Sequence, residues 1–222
     1  VTSPREQLLH LIATLSFTPG DFTLASGQKS DYYIDCRITT LHAQGGRLAG
    51  IVLLDLIREH FPAAVAIGGL TMGADPLVSG TAIASAQELA DHRDLLELDP
   101  ESISDPEPTL LHGFLVRKAE KTHGTGRRIE GFLQPGAPVV IIDDVCTTGG
   151  STLTAIEAAQ AAGMTVLGVL CLVDRQQGGA ENIAKALGAL RHTSLYPKPT
   201  FIPAFTAQDV RAARSQIDTA RG

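Results

Sequence analysis

The chain has 222 residues, with 18 Lys and Arg against 24 Asp and Glu for a net charge of −6, and it is 44% apolar and 19% charged. That apolar share excludes a disordered chain, and the length suits one α/β unit with a single core although it exceeds the roughly 100 to 150 residues of the commonest domains. A net negative chain without a Lys/Arg-rich run is a poor general binder of nucleic acid, so any anion it holds belongs in a local site.

The N-terminal apolar run, Leu8 to Leu15, is broken by His10 and Thr14 and follows Arg5 and Glu6. It predicts an amphipathic helix with Leu8, Leu11, Ile12 and Leu15 on one face, not a secretory signal. No run approaches the roughly 20 apolar residues of a membrane span, and a cytoplasmic location is expected. Cys36, Cys146 and Cys171 are odd in number and lack a C-x-x-C pair, so neither a disulfide framework nor a zinc site is indicated.

Further along, Phe22 to Ile38 carries turn chemistry between two short aromatic and aliphatic runs, which predicts a small hairpin or hood outside the main sheet. Gly46 to Phe61 reads as a helix, Ala64 to Gly69 as a buried strand, Asp75 to Ala90 as a helix and Leu111 to Val116 as a strand. After a polar loop come a strand at Pro138 to Asp143, a helix at Ser151 to Ala162, and a strand at Thr165 to Val173. A helix at Ala180 to Leu187 and a strand near Leu190 to Leu195 complete the pattern, with Gly163 and Gly188 as helix stops. Strands alternating with amphipathic helices predict an α/β fold with a mostly parallel central sheet flanked by helices.

Glu88 to Pro108 holds eight acidic residues and one Arg, a local balance of −7. The expectation is an acidic insertion, 88–108, forming a solvated loop or short helix, with a partner-binding role as the alternative.

The residues that carry chemistry cluster at Val139-Val-Ile-Ile-Asp-Asp-Val-Cys-Thr-Thr-Gly-Gly-Ser-Thr152. A buried strand delivers adjacent carboxylates, Asp143 and Asp144, to its C-terminal end, where ligands bind in open α/β sheets. The turn that follows is made of hydroxyl residues and glycines entering a helix, a combination suited to phosphate because backbone N–H groups can converge there. It lacks the Gly-Lys-Ser/Thr of a nucleotide P-loop, and no G-x-G-x-x-G follows a strand. Side-by-side carboxylates suit a sugar with vicinal hydroxyls, or a metal, next to that phosphate. A second segment, Arg117 to Arg128, gathers Arg117, Lys118, Lys121, Arg127, Arg128 and His123 against Glu120, with Gly124 and Gly126 to lend mobility. A cationic loop of this kind suits a pyrophosphate leaving group.

The run Val140 to Ser151 resembles the phosphoribosyl-pyrophosphate (PRPP) motif of type I phosphoribosyltransferases. Three other segments narrow the resemblance to the orotate phosphoribosyltransferase family: Phe22 to Asp35 is similar to the family's hood, Phe114 to Gly126 to its mobile catalytic loop, and Leu172 to Gly178 to its substrate-facing turn. All four occur in the family's order.

The resemblance implies a type I phosphoribosyltransferase fold spanning 1–222 as a single domain, with a hood over roughly 1–40 and a catalytic loop over roughly 117–130. It implies transfer of the phosphoribosyl group of PRPP to N1 of orotate, giving orotidine 5′-monophosphate and pyrophosphate for pyrimidine synthesis. Lys121, Asp143 and Asp144 would be catalytic. PRPP would be bound by Arg117, Lys118, Lys121, His123, Asp143, Asp144, Val145, Cys146, Thr147, Thr148, Gly149, Gly150 and Ser151. Orotate would be bound by Thr147, Arg175, Tyr33, Ile34 and Lys29, with Arg175 meeting its carboxylate. Mg²⁺ is the expected cofactor, held mainly through PRPP and water with no ligand set on the protein. A homodimer with shared active sites is expected, and no nucleic-acid or membrane partner. The chain departs from the family at Ala25 and Gly73, where lysines often stand, and Lys29 is the expected substitute for the first. The alternatives are a phosphoribosyltransferase for another base such as a purine, a non-catalytic PRPP-sensing regulator, and a plain α/β interaction protein.

Overall fold

A computed structural model of the chain describes residues 2–23, 29–99, 106–118, 128–190 and 195–221. Helix α1, Pro4–Leu11, starts on a capping box in which Ser3 and Glu6 exchange hydrogen bonds with each other's backbone, and it runs into a π-helical turn at Ile12–Ser16. Leu8 and Ile12 are fully buried, as the amphipathic pattern requires. Strands β1 (Phe17–Thr23) and β2 (Lys29–Ile34) then pair antiparallel as a two-stranded sheet separate from the main one, which is the hairpin expected from the turn chemistry. A short helix not foreseen from the sequence, α2 at Cys36–Thr40, is capped by the Asp35 carboxylate.

The remaining elements are α3 (Ala43–His60), β3 (Ala66–Leu70), α4 (Asp75–Leu98), β4 (His112–Val116), β5 (Ile129–Gly131), β6 (Pro138–Cys146), α5 (Gly150–Ala161), β7 (Thr165–Asp174), α6 (Gly179–Gly188), β8 (Thr200–Thr206) and α7 (Ala207–Arg221). The main sheet has the order β5-β4-β3-β6-β7-β8, and every neighbouring pair is parallel except β4 with β5. The chain moves outward in one direction from β3 to β5 and in the other from β6 to β8. The β3/β6 junction is therefore a topological switch point, where a crevice opens at the carboxyl ends of the strands.

Both faces of the sheet are covered, and β6 shows why its sequence is a continuous apolar run. Val140 and Ile142 join the core formed with α1, α3, α4 and α7, whereas Val139 and Ile141 join a second core under α5 and α6. That two-residue period carries on into the next pair, so Asp143 and Asp144 leave the strand toward opposite faces. No helix among the described residues is long and apolar enough to cross a membrane.

Several boundaries differ from expectation. Helix α4 runs to Leu98, so the first half of the acidic stretch continues that helix as an exposed face. Two of its carboxylates are paired, Glu88 with Arg58 at 2.7 Å and Glu107 with Arg93 at 2.7 Å, while residues 100–105 lie outside the description. The N-cap of α5 is Gly149 in the left-handed region at φ +82°, and Ser151 lies inside the helix. Gly163 stops α5 at φ +78°, but Gly188 is the last residue of α6 and has no positive φ. Of the strand expected near Leu190 to Leu195, residues 191–194 are not described, and Leu190 and Leu195 lie outside any strand, Leu195 being 79% exposed. The sheet is extended instead by β8, where Pro203 is tolerated because the strand is at the edge.

Candidate active site

The carboxyl ends of β3 and β6, the turn after β7 and the hood hairpin enclose a cavity of about 960 Å³. Asp143, Asp144, Val145, Thr147, Thr148, Ser151 and Arg175 line it from β6, the following turn and the end of β7. Tyr33, Ile34, Asp35 and Arg37 line it from the hood side, Lys118 from the end of β4, and Leu70 to Gly73 from the turn after β3.

Asp143 is 5% exposed. Thr152 on α5 donates its hydroxyl to Asp143 Oδ2 at 2.6 Å, and the Asp144 N–H donates to Oδ1 at 3.1 Å. Burial pushes its carboxyl up to about 7, against the Thr152 hydroxyl, which lowers it, and with the neighbouring Asp144 charge, which raises it further. Asp144 is also raised by burial, opposed by the Val145 N–H and by the positive charge of Arg37. The close fit of the turn after β3 protects this carboxylate: a Cβ at Gly73 would come within 2.3 Å of Asp144 Oδ1.

The Thr147 to Gly150 turn places Thr147, Thr148 and Ser151 on the cavity wall at the N-terminus of α5, which presents free backbone N–H groups to an anion. Gly149 is favoured as glycine by its positive φ, and a Cβ there would also crowd the Ile183 side chain at 3.0 Å.

Arg175 follows β7, is 5% exposed, and donates its backbone N–H to the Cys146 carbonyl at 2.8 Å. Its guanidinium lies 5.0 Å from the Tyr32 ring centroid and reaches Ser30 Oγ at 3.3 Å. Its Nε is buried without a hydrogen-bond partner among the described residues. A guanidinium held against a ring with donor capacity left over is a fork for a planar anion. Tyr32 is contacted also by Arg211 of α7, at 4.9 Å, and Arg211 pairs with Asp31 at 2.5 Å, so the C-terminal helix is tied to the hood.

Most residues expected from the sequence meet here: Asp143, Asp144, Val145, Thr147, Thr148, Ser151, Arg175, Tyr33, Ile34 and Lys118 line one cavity. Gly149 and Gly150 are not in the lining but form the N-cap and first residue of α5 between Thr148 and Ser151, which are. Others sit elsewhere. Cys146 is fully buried in the core under α5 and α6 and contributes only its carbonyl to Arg175. Arg117 is absent from the lining and pairs with Glu130 at 3.0 Å across the β4/β5 ladder. Lys29 donates to Thr23 Oγ1 at 2.9 Å on the hairpin rather than facing the cavity. Lys121 and His123, like Ala25, lie outside the described residues.

Sequence reasoning noted the Thr71-Met-Gly73 turn only for a missing lysine at Gly73, and assigned no site role to the turn, Asp35 or Arg37. The turn was detectable as a Gly-containing break directly after a buried strand, but without a charged side chain it offered no chemistry to assign. The three cysteines are free and buried, so they offer no thiolate to the cavity.

Comparison with known proteins agrees with this geometry. Residues 117–193 match the family model described as the phosphoribosyl transferase domain. The orotate phosphoribosyltransferase of Rhodopirellula baltica is 39% identical over 200 residues, covering 86% of this chain and 94% of that protein. The crystal structure of Mycobacterium tuberculosis orotate phosphoribosyltransferase with Fe(III) dicitrate superposes with a TM-score of 0.69 at 32% identity, covering 94% of this chain and 99% of that one. The same enzyme in complex with PRPP gives a TM-score of 0.66 at 29% identity over 94% and 99%. With a switch-point crevice, paired aspartates and a hydroxyl-rich turn on a type I phosphoribosyltransferase fold, and with relatives alike along nearly their whole length, the chain belongs to the orotate phosphoribosyltransferase family.

Proposed function

We propose that the cavity binds PRPP and orotate together and that the chain transfers the phosphoribosyl group to N1 of orotate, giving orotidine 5′-monophosphate and pyrophosphate. The observation that carries this reading is the meeting of two buried-strand carboxylates, a phosphate-suited turn and an under-bonded arginine in one cavity.

Each wall has a task in the reaction. Thr147, Thr148 and Ser151 with the N-terminus of α5 hold the 5′-phosphate. Asp143 and Asp144 accept the ribose hydroxyls and stabilise positive charge as C1 acquires oxocarbenium character. Arg175 takes the carboxylate of orotate in its fork, and backbone groups of Tyr33 and Ile34 meet the pyrimidine edge. As N1 bonds to C1 and gives up its proton to the departing pyrophosphate, the C1–O bond breaks and its electron pair leaves on pyrophosphate. Lys118, with Lys121 and His123 on the 117–130 loop, supplies cations to that leaving group once water is excluded, while Arg117 stays paired with Glu130.

Mg²⁺ fits this site as a substrate-borne ion. Asp143 and Asp144 share the cavity with the hydroxyls of Thr147, Thr148 and Ser151, and such oxygen donors suit a hard divalent cation that a phosphorylated substrate brings with it. When bound, it would neutralise charge on the pyrophosphate, with Asp143 and Asp144 contacting its water shell or the ribose hydroxyls.

The proposal extends to residues 1–222 working as one domain in the cytoplasm, and to a homodimer in which the 117–130 loop serves the partner's site, as the family resemblance implies. The test of base choice is direct. Orotate, adenine and hypoxanthine are each supplied with PRPP and Mg²⁺, and the nucleotides are separated by chromatography. Orotidine 5′-monophosphate alone is expected, and formation of a purine nucleotide instead would overturn the assignment.

A further inference from the structure

Three cations stand among the described residues of the cavity lining: Arg37, Lys118 and Arg175. The site reading above commits Arg175 to the planar base, and an in-line displacement at C1 puts the leaving group on the opposite side of the sugar from the incoming nitrogen. The pyrophosphate therefore has to be met by the other walls of the cavity, those formed by Arg37, Lys118 and the Thr71 to Gly73 turn. That turn brings backbone rather than charge, because the space beside Gly73 is filled by the Asp144 carboxylate.

Arg37 is built to present its charge. Asp35 grips one edge of the guanidinium, with Nε on Oδ1 at 2.8 Å and Nη2 on Oδ2 at 2.7 Å. Among the described residues no hydrogen bond takes Nη1, and the side chain is 46% exposed on the cavity wall. The pairing fixes the orientation without consuming the whole fork. The helix cap at this point does not need the side chain, since Asp35 caps α2 by accepting the Arg37 backbone N–H at 3.1 Å. Arg37 also feels Asp144, whose negative charge stabilises its cation.

We propose that Arg37 binds the pyrophosphate group of PRPP through the free side of its guanidinium, with Asp35 as its positioning residue. This rests on the phosphoribosyl-transfer reading above. It assigns the hood a charge function in addition to its contact with the base, in a cavity whose turn after β3 brings no cation of its own.

The reverse reaction separates pyrophosphate binding from everything else in the site. With orotidine 5′-monophosphate and pyrophosphate as substrates, Arg37→Ala is expected to raise the KM for pyrophosphate about 10-fold or more, the loss typical of one charge-assisted hydrogen bond, with the nucleotide KM within about 2-fold of wild type. Arg37→Lys recovers part of the loss, and Asp35→Asn gives a smaller rise in the same constant. An unchanged pyrophosphate KM in Arg37→Ala, or pyrophosphate and nucleotide constants rising together in both Arg37 variants, would overturn the proposal while leaving the transferase reading intact. A wild-type protein with no turnover in either direction would instead refute the transferase reading itself, and this proposal with it.

Discussion

Thr152 on α5 donates its hydroxyl to Asp143 at the end of β6 over 2.6 Å, and both side chains are buried. The bond ties the helix whose N-terminus faces phosphate to the strand that delivers the carboxylates, so the two halves of the sugar-phosphate site are held in register. Replacing Thr152 by Val keeps the shape and removes the donor. Chemical denaturation is expected to show a loss of about 1 to 3 kcal/mol from the partly unsatisfied carboxylate, together with a weaker affinity for PRPP in calorimetry. Unaltered stability and unaltered PRPP affinity would remove this bond from the site's design.

The raised carboxyl of Asp143 makes stability depend on pH with a definite sign. A group near 7 in the folded chain, and in the ordinary carboxylate range when unfolded, binds more protons in the folded state between those values. Its contribution is therefore fully present below the ordinary carboxylate range and is lost as pH rises toward 7. Asp143→Asn removes that titration. In thermal melts without substrate, the variant is expected to gain on wild type as pH is raised from 5 to 8, and a difference that does not vary with pH would contradict the burial of a titrating carboxyl.

Arg175 is matched to a planar carboxylate by fork geometry that a lysine lacks. Arg175→Lys is expected to raise the KM for orotate much more than that for PRPP, and it also surrenders a ring contact worth roughly 0.5 to 2 kcal/mol where desolvated. Equal effects on the two substrates would take Arg175 out of the orotate site.

The shared-site dimer has a complementation test. Lys121→Ala is expected to lower kcat more than it weakens substrate binding, and Asp144→Asn to damage a separate part of the same composite site. If the loop crosses between subunits, mixing the two inactive variants under subunit exchange restores up to roughly a quarter of wild-type activity, because about half the dimers are mixed and each has one intact site. Proven mixed dimers without activity would mean that Lys121 serves its own subunit.

Elements with a strong local pattern were legible in the sequence. The apolar run of β6 ends in two aspartates and a Thr-Thr-Gly-Gly turn, and that stretch alone located the strand, the turn and the carboxylates. Pairings between distant segments were not legible. Nothing near Arg117 announces that Glu130 will face it across an antiparallel ladder, so a cation assigned to phosphate is found in an ion pair. Arg37 was passed over for the complementary reason, since its place in the cavity depends on how the hood folds over β6. In β8, Pro203 masked an edge strand, and the exposed second half of α4 has too few buried positions to distinguish helix from loop.

The most direct measurement is the absorbance of orotate followed in time with PRPP and Mg²⁺. The expected result is a loss of orotate matched one to one by pyrophosphate, stopped by chelating Mg²⁺ and restored when the metal is returned. Persistence of orotate under these conditions, with PRPP intact, would contradict the assignment of this cavity to orotate phosphoribosyl transfer.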